Sequence, residues 1–337
     1  MTWGPLFAPL AGLYGAGVVL RRTAYDRGWF ESHAAPLFLV SVGGLEAGGS
    51  GKTPVTGLLL QAFQRAGRRV GLLTRGYGRQ SSGLVVRQMG AAYDAATIGD
   101  EPAMLVRSGL DVPVAVCSNR NVGAHALCEL GCDVGVLDDA FAHRAQQREV
   151  DIVVLRGDAP VGNGHLLPWG SLREPISSLR RANVIWLHFR GTRAGPIPDW
   201  LTQRFPAAVF VVSHAVVGPV NFGEEEVNVA GKRVLAMAGI ARPADVVASL
   251  EGLGAQVIGL KSFSDHHRYS QTDISRVIDA ARAEKVDGVV TTAKDAVKLT
   301  SSWEGPPLWV LQSTVAIIDG QDALAQLIGI KGQFLGL

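Results

Sequence analysis

The residues best suited to chemistry lie near position 50, where glycines surround a serine, a lysine and a threonine. Glycines let backbone N–H groups approach a phosphate chain closely, and a lysine after them can reach its β- and γ-phosphates. A threonine hydroxyl at the next position is a common Mg²⁺ ligand. Although Glu46 replaces a further glycine, the run predicts a nucleoside triphosphate site rather than an ordinary glycine-rich turn. Its members are Gly48, Gly49, Ser50, Gly51, Lys52 and Thr53.

Two adjacent acids, Asp138 and Asp139, follow the apolar segment Asp133–Leu137. In proteins with a phosphate loop, a carboxylate at the end of such a strand supports Mg²⁺ directly or through water. Neighbouring residues of an extended chain point to opposite sides, so we expect one acid to serve the metal and the other a nearby group. The alternative is a solvated strand end.

Two glycine-rich loops carry polar side chains that could bind a substrate. The first spans residues 75–79 after the second predicted strand, and its Tyr77 and Arg79 could hold a phosphate or a sugar. Ligands bind open α/β sheets at this carboxyl edge. The second loop, residues 162–175, contains Asn163, Arg173 and Glu174. The alternatives are an ordinary turn for the first loop and a plain connection for the second.

Two further positions suit acid–base chemistry. Asp100 lies at a predicted helix start, where a role as the helix N-cap would by itself explain an acid. Asp265 and His266 follow a predicted strand in the second half of the chain, and clustered Asp and His favour metal binding or proton transfer. We prefer proton transfer because no third ligand lies at zinc-like spacing. A solvated surface loop is the alternative.

The segments that must position these residues alternate between strand-like and helix-like patterns, as in a parallel α/β sheet. We therefore expect a mostly parallel sheet of the P-loop NTPase type with helices on both faces. The predicted strands are Pro36–Val42, Val70–Thr74, Val112–Cys117, Asp133–Leu137, Asp151–Leu155 and Val184–Phe189. The predicted helices between them are Val55–Arg65, Glu101–Ser108 and Asn121–Leu130.

A looser stretch, Gly191–Pro206, and a β-rich region, Ala208–Val229, indicate the boundary of a smaller α/β unit. We expect three parts: an N-terminal segment (1–30), a P-loop kinase domain (31–207) and a C-terminal domain with linker strands (208–337). The predicted elements of the last part are strands Val234–Ala238, Gln256–Leu260, Gly288–Thr292 and Leu308–Val315, with helices Pro243–Leu253 and Gln271–Ala283.

The composition bounds the function. A chain of 337 residues is long enough for two domains. A net charge of +2 with 18% charged residues does not suggest a protein that coats nucleic acid. Three cysteines provide no even disulfide framework, which fits a reducing compartment.

The first twenty residues carry no charged side chain, and Arg21, Arg22 and Arg27 follow them. A basic region ahead of the apolar stretch is missing, which argues against a cleaved signal peptide. A helix of about 18 residues at roughly 1.5 Å each would reach about 27 Å, marginal for a bilayer span. Pro5 and Pro9 weaken a straight span further. We expect a segment lying in the membrane interface; a span and a helix packed on the protein are the alternatives.

Taken together, these motifs resemble those of the tetraacyldisaccharide 4′-kinase family, the lipid A 4′-kinases of Gram-negative bacteria. The resemblance runs through most of the chain and rests on the order and spacing of many short pieces. They are the apolar N-terminus, the phosphate loop, residues 75–79, 99–102, Asp138-Asp139 with Phe141 and His143-Arg144, residues 162–168 and 172–175, Asp265-His266 and residues 294–298. The chain departs from the family at Ala140, Ala142 and Ala293, where a glycine, a glutamine and an acid are usual.

The resemblance implies transfer of the γ-phosphoryl group of ATP to the 4′-hydroxyl of a membrane-embedded acylated disaccharide 1-phosphate. It implies that Lys52 and Thr53 hold phosphates and Mg²⁺ with Asp138 and Asp139. It further implies that Asp100 is the base toward the hydroxyl, paired with His266. The enzyme would work at the cytoplasmic face of the inner membrane as a monotopic or peripheral protein, with no nucleic acid partner.

Two other classes of function stay open on the motifs alone. A soluble P-loop kinase or ligase of a small metabolite would need neither the N-terminal segment nor lipid. A nucleotide-driven switch ATPase would hydrolyse ATP without any acceptor and would need no acid–histidine pair across the two domains.

Overall fold

The computed structural model describes residues 7–92, 94–190, 193–222, 225–240, 242–265, 267–299 and 303–330. Its strands form one sheet in the order β11-β10-β12-β13-β8-β7-β6-β1-β5-β2-β4-β3, with β9 paired to β8. The strands are β1 (Phe38–Gly43), β2 (Val70–Thr74), β3 (Val85–Arg87), β4 (Val114–Val116), β5 (Val134–Asp138), β6 (Val150–Arg156), β7 (Val184–Phe189), β8 (Val209–Phe222), β9 (Glu225–Val227), β10 (Arg233–Ala238), β11 (Gln256–Ser262), β12 (Gly288–Thr292) and β13 (Leu308–Asp319).

The helices connect these strands, as the alternating sequence pattern predicts. They are α1 (Ala8–Asp26), α2 (Lys52–Arg65), α3 (Ala95–Ile98), α4 (Asp100–Arg107), α5 (Arg120–Glu129), α6 (Asp199–Arg204), α7 (Ala244–Gly252), α8 (Gln271–Ala283), α9 (Ala293–Ala296) and α10 (Gln321–Leu327). A 3₁₀ helix covers Ile176–Arg181.

The sheet is mostly parallel, which confirms the predicted class. The antiparallel pairs are β3 with β4, β8 with β13 and β8 with β9, whereas the central pairs of β1 with β5 and β6 are parallel. Because β8 pairs with both β7 and β13, the sheet continues from the first half of the chain into the second. The division into a kinase domain and a C-terminal domain stays a prediction.

Alternate residues of the central strands face different helices, so both faces of the sheet are covered. On β1, Val40 and Val42 pack in one buried cluster with α2, while Leu39 packs in another with Leu127 of α5. The same alternation occurs on β10, where Ala236 shares a cluster with α7 and Met237 shares one with α8. Strands buried on both faces read as continuous apolar runs, which is why the sequence pattern located them well.

The sequence pattern did not predict the short elements. The predicted loose stretch Gly191–Pro206 contains α6, and the chain between the second and third predicted strands forms β3 and α3. β3 has three residues and α3 has four, so neither is long enough to show a period.

The N-terminal helix α1 turns an apolar stripe away from the protein. Leu13 is 73% exposed and Leu20 is 65% exposed, while Ala11 and Ala24 are the buried positions of this helix. Within the part of the chain that the structure describes, no helix has the length and apolar character needed to cross a bilayer. Met1–Leu6, the start of the predicted membrane segment, lie outside the described residues.

Candidate active site

The candidate site lies at the carboxyl edge of the sheet, where β1 and β5 end side by side. Val42 of β1 is in register with Asp138 of β5, so the loop after β1 and the two acids start from neighbouring points. This is the edge at which open α/β sheets bind ligands. The topology therefore joins the glycine run and the paired acids into one site, as the sequence predicts.

The glycine run forms a tight loop that leads directly into α2. Gly51 has a φ of 91° and precedes the first residue of the helix, a conformation that favours glycine. A Cβ at this position would lie 2.3 Å from Cδ2 of His188, so the histidine packs directly against the loop. The Ser50 hydroxyl is buried with no hydrogen-bond partner among the described residues. The N-terminus of α2 thus points its N–H groups at the place where a phosphate chain would bind.

Lys52, the first residue of α2, lies between the loop and the acids. Its ammonium donates a hydrogen bond to the carbonyl oxygen of Gly48 at 3.1 Å and lies 3.8 Å from Oδ1 of Asp139. Thr53 follows it in the first turn. The lysine is therefore held at the mouth of the loop, within reach of a bound triphosphate.

The two acids differ in environment, as their adjacent positions predict. Asp138 is 3% exposed and accepts a hydrogen bond from the Thr56 hydroxyl at 3.2 Å. Burial, together with the negative charges of Glu101 and Asp139, raises the pKa of Asp138 to about 8. Asp139 instead has its pKa lowered, against the effect of burial, by hydrogen bonds from Arg173 and by the charge of Lys52. The surroundings therefore favour the neutral form of Asp138 and the ionised form of Asp139.

Ala140 does not strain the backbone at the position where the family has glycine. The positive φ in this turn, 46°, belongs to Asp139. Ala140 is fully buried and donates its N–H to the carbonyl oxygen of Val42 at 3.1 Å. At the second departure, Ala142 lines a cavity of about 150 Å³ together with Tyr14 and Arg144.

Arg120 is a site residue that the sequence did not reveal. It is 3% exposed, and its Nη1 donates to the carbonyl oxygen of Cys117. Burial and the charge of Arg75 lower its pKa to about 10, while Asp138 and Asp139 act in the opposite direction. A guanidinium this deeply buried keeps its charge at neutral pH and so contributes a fixed cation beside the acids. The one signal in the sequence for this buried positive charge is the position of Arg120 at the start of α5, just after β4.

A second group of cations lies beside the loop, at the ends of β6 and β7 and between β10 and α7. Arg156, Arg190 and Arg242 line a cavity of about 250 Å³ together with Gly48 and Gly49. Arg190 donates a hydrogen bond to the carbonyl oxygen of Gly49. Its pKa is lowered by burial and by the positive charges of Arg242 and Arg156. These arginines are 34 to 86 positions apart in the chain, so no local sequence pattern could link them.

Asp100 is the first residue of α4, and the cap position belongs to Gly99, whose φ is 98°. The interpretation of Asp100 as an N-cap is therefore wrong, because glycine supplies the turn that precedes the helix. Oδ2 of Asp100 lies 3.4 Å from Nζ of Lys298, a residue from the second half of the chain. His266 lies outside the described residues, while its neighbour Asp265 accepts a hydrogen bond from Lys294 at 2.8 Å.

The residues predicted to contact substrate divide into two groups. Arg173 donates hydrogen bonds to Asp139, and Tyr77 is exposed. Arg79 donates to the carbonyl oxygens of Val116 at the end of β4 and of Gly83, so its guanidinium ties its loop to that strand. The remaining two also have partners within the protein: Asn163 donates to the carbonyl oxygen of Trp169 at 3.2 Å, and the buried Glu174 pairs with Arg181.

Comparison with known proteins agrees with this geometry. The profile of the family described as tetraacyldisaccharide-1-P 4′-kinase matches residues 3–331. The tetraacyldisaccharide 4′-kinase of Anaeromyxobacter dehalogenans strain 2CP-C is 38% identical over 92% of this chain and 86% of its own. That of Halorhodospira halophila is 37% identical over 90% and 86%, respectively.

A solved structure gives the same result. The LpxK of Aquifex aeolicus, crystallised in complex with ATP, superposes with a TM-score of 0.81 at 28% identity, covering 97% of this chain and 98% of its own. The chain belongs to the tetraacyldisaccharide-1-P 4′-kinase family.

Proposed function

We propose that this protein transfers the γ-phosphoryl group of ATP to the 4′-hydroxyl of a tetraacylated disaccharide 1-phosphate, a step of lipid A biosynthesis. The observation that carries the proposal is the convergence of Lys52, Asp138 and Asp139 around a glycine loop at the carboxyl edge of the sheet. The relatives that share this family are named for the same reaction.

The proposed reaction forms a bond between the 4′-oxygen and the γ-phosphorus and breaks the bond between that phosphorus and the oxygen bridging to the β-phosphate. ADP leaves, and the hydroxyl proton passes to Asp100. In a loose transition state the hydroxyl needs little base strength, so positioning and charge neutralisation contribute most. Lys52 and Arg120 supply fixed positive charge next to the phosphoryl group.

A magnesium ion would be held by Thr53, Asp138 and Asp139. Their oxygen atoms are the ligand type that Mg²⁺ prefers, and the ion commonly takes its other ligands from substrate phosphates and water. Bound there, it would neutralise charge on the β- and γ-phosphates. Arg173 orients Asp139 for this task through two hydrogen bonds.

The exposed stripe of α1 supports a place for the enzyme on the cytoplasmic face of the inner membrane. Leu10, Leu13 and Leu20 lie on one side of the helix and are more than half exposed, and Arg21 and Arg27 follow at its end. Apolar residues of this kind enter the interface while arginines remain near lipid phosphates. A four-chain lipid leaves a bilayer very slowly, because each buried CH₂ contributes about 0.8 kcal/mol. The enzyme therefore reaches its acceptor at the membrane.

The test uses purified protein, ATP, Mg²⁺ and the acylated disaccharide 1-phosphate in mixed micelles, with product masses recorded. We expect one added phosphate on the lipid and one ADP released for each lipid converted. ADP release without lipid phosphorylation would favour a switch ATPase and reject the kinase proposal. Phosphorylation of soluble sugars but not of the lipid would favour a small-metabolite kinase.

A further inference from the structure

The second half of the chain reaches Asp100 where α9 packs against α4. Arg107, near the end of α4, donates a hydrogen bond to the carbonyl oxygen of Ala296 at 3.3 Å. Asp100 lies at the opposite end of α4, and Lys298 follows α9 by two residues. The contact between the two helices therefore brings one cation from the second half next to the proposed base.

The Lys298 ammonium has three oxygen neighbours within the described residues, and the Tyr269 ring centre lies 5.9 Å from it. It lies 3.4 Å from Oδ2 of Asp100 and 3.4 Å from Oδ1 of Asp295, and it donates to the carbonyl oxygen of His267 at 3.2 Å. An ammonium group has three N–H donors, so it can serve several oxygen acceptors at once. The side chain is 9% exposed, so these contacts are shielded from water.

Asp295 fixes the position of this ammonium. It is fully buried, and its Oδ2 accepts hydrogen bonds from the Gly239 N–H and the Thr292 hydroxyl, each at 2.9 Å. A buried carboxylate with these partners has little freedom to move. Lys298 is thus anchored on the side of the second half, and its distance to Asp100 follows from the packing of α9 on α4.

We propose that Lys298 is a positioning residue for the transfer reaction, which holds the Asp100 carboxylate in the orientation that receives the acceptor's proton. The inference rests on the proposed role of Asp100 as the base. Lys298 also binds the backbone of His267, the residue after His266. One ammonium therefore links the segment that contains the histidine to the acid with which the resemblance pairs it.

The acidic surroundings of Asp100 suit the compact ammonium of a lysine better than the planar guanidinium of an arginine. Asp100, Glu101, Asp138 and Asp139 bring four carboxyl groups to this edge of the sheet, and Glu101 is close enough to raise the pKa of Asp138. Lysine is a point charge with three tetrahedral donors, whereas the planar guanidinium of arginine is suited to bidentate partners. Arginine at position 298 would keep the charge but would meet these three oxygen atoms with a planar group of different shape.

The first experiment compares Lys298→Met, Lys298→Gln and Lys298→Arg with the wild-type enzyme. We expect kcat to fall about 10- to 100-fold for Met and Gln, part of the roughly 10²- to 10⁴-fold that a positioned base contributes. The KM for ATP should stay within about twofold, because the phosphate loop is not part of this contact. Lys298→Arg should recover part of the loss.

Lys261→Met is the matched control, because this lysine is exposed on β11 in the same half of the chain. Its kcat should equal that of the wild type. Thermal melting of every variant checks folding, and Lys298→Gln keeps a polar group if Lys298→Met fails to fold. A wild-type kcat in both folded Met and Gln variants would overturn the inference, and so would a selective rise in the KM for ATP.

A double-mutant cycle with Asp100→Asn separates positioning from a general structural effect. If Lys298 acts through Asp100, the double variant Asp100→Asn with Lys298→Met should be no slower than Asp100→Asn alone, within about twofold. If the losses of kcat in the two single variants multiply in the double variant, Lys298 does not act through Asp100 and the inference is overturned. An unchanged kcat in Asp100→Asn would instead reject Asp100 as the base, so failure of the proposed function is distinguishable from failure of this inference.

Discussion

Arg173 donates two parallel hydrogen bonds to Asp139, from Nη1 to Oδ2 at 2.7 Å and from Nη2 to Oδ1 at 2.6 Å. The φ of Asp139 is 46°, in the left-handed region, which costs a non-glycine residue on the order of 1–3 kcal/mol. A bidentate pair fixes both the position and the plane of the carboxylate. Arg173 therefore determines which way the proposed metal ligand faces.

Replacing Arg173 should raise the Mg²⁺ concentration that the enzyme needs for activity. We expect Arg173→Met to lower kcat/KM about 10- to 100-fold, in the range seen when groups that orient metal ligands are removed. Arg173→Lys should recover little, because one ammonium cannot form the parallel pair. The measurement is the Mg²⁺ concentration for half-maximal rate, which should rise in both variants. Arg65→Met, an exposed change at the end of α2, is the control and should leave it unchanged.

The two cations that bind loop carbonyl oxygens should have different kinetic roles. Lys52→Met should lower kcat by about 10²- to 10³-fold, because the lysine stabilises charge that develops on the transferred group. Arg190→Met should mainly raise the KM for ATP, because Arg190 holds the Gly49 carbonyl oxygen and orients the loop before chemistry. Steady-state kinetics at varied ATP concentration would separate the two. Equal loss of kcat in both variants would contradict this assignment.

Charges placed on the exposed stripe of α1 should release the protein from lipid. Leu13→Glu with Leu20→Glu is expected to lower vesicle binding at least about 10-fold, since burying one leucine contributes about 1.5–3 kcal/mol. ATP binding should not change. Ile318→Glu is a matched control, because Ile318 is also an exposed apolar residue, 56% exposed, on β13. Co-sedimentation with anionic vesicles measures the effect, and equal binding of all three proteins would reject the membrane-facing role.

The protein should lose stability between about pH 6.5 and 4 because of His188. Burial and the charge of Arg190 lower its pKa from 6.5 to about 4. The unfolded chain then binds more protons than the folded one in this interval, so the free energy of unfolding falls as pH falls. The loss should reach about 3 kcal/mol, since one pKa unit corresponds to about 1.4 kcal/mol. Below about pH 4 this group should contribute no further change.

Urea denaturation across this pH range tests the prediction. His143 titrates in the same interval, because burial and Arg120 lower its pKa to about 4. His188→Gln should therefore reduce the pH dependence without abolishing it, while an unchanged slope would contradict the assignment to His188.

The sequence predicted the sheet well because its strands are buried on both faces. The bounds of β2, β7, α8 and β12 agree with the predicted segments, and the glycine loop and paired acids lie together as expected. Asp100 shows the limit of local rules: an acid at a helix start left both a cap and a catalytic base open, and only the structure shows that Gly99 supplies the cap. The role of Asp100 as the base stays a prediction.

Residues that act through distant partners could not be predicted. Arg120 carries no motif, and Lys298 belongs to a run whose link to Asp100 spans nearly two hundred positions. Arg79 illustrates the opposite case, because a loop arginine suited to phosphate binding has its donors on backbone carbonyls instead. The acceptors that a long polar side chain contacts depend on which polar groups the fold leaves without partners. Only the packed structure shows which groups these are.

Tyr14 of α1 donates its hydroxyl hydrogen to the carbonyl oxygen of Arg173 at 2.9 Å. The peptide unit that accepts this bond belongs to the same residue whose guanidinium holds Asp139. We therefore expect lipid composition and detergent choice to change turnover as well as attachment, since a displacement of α1 would move the backbone of the arginine that orients the proposed metal ligand.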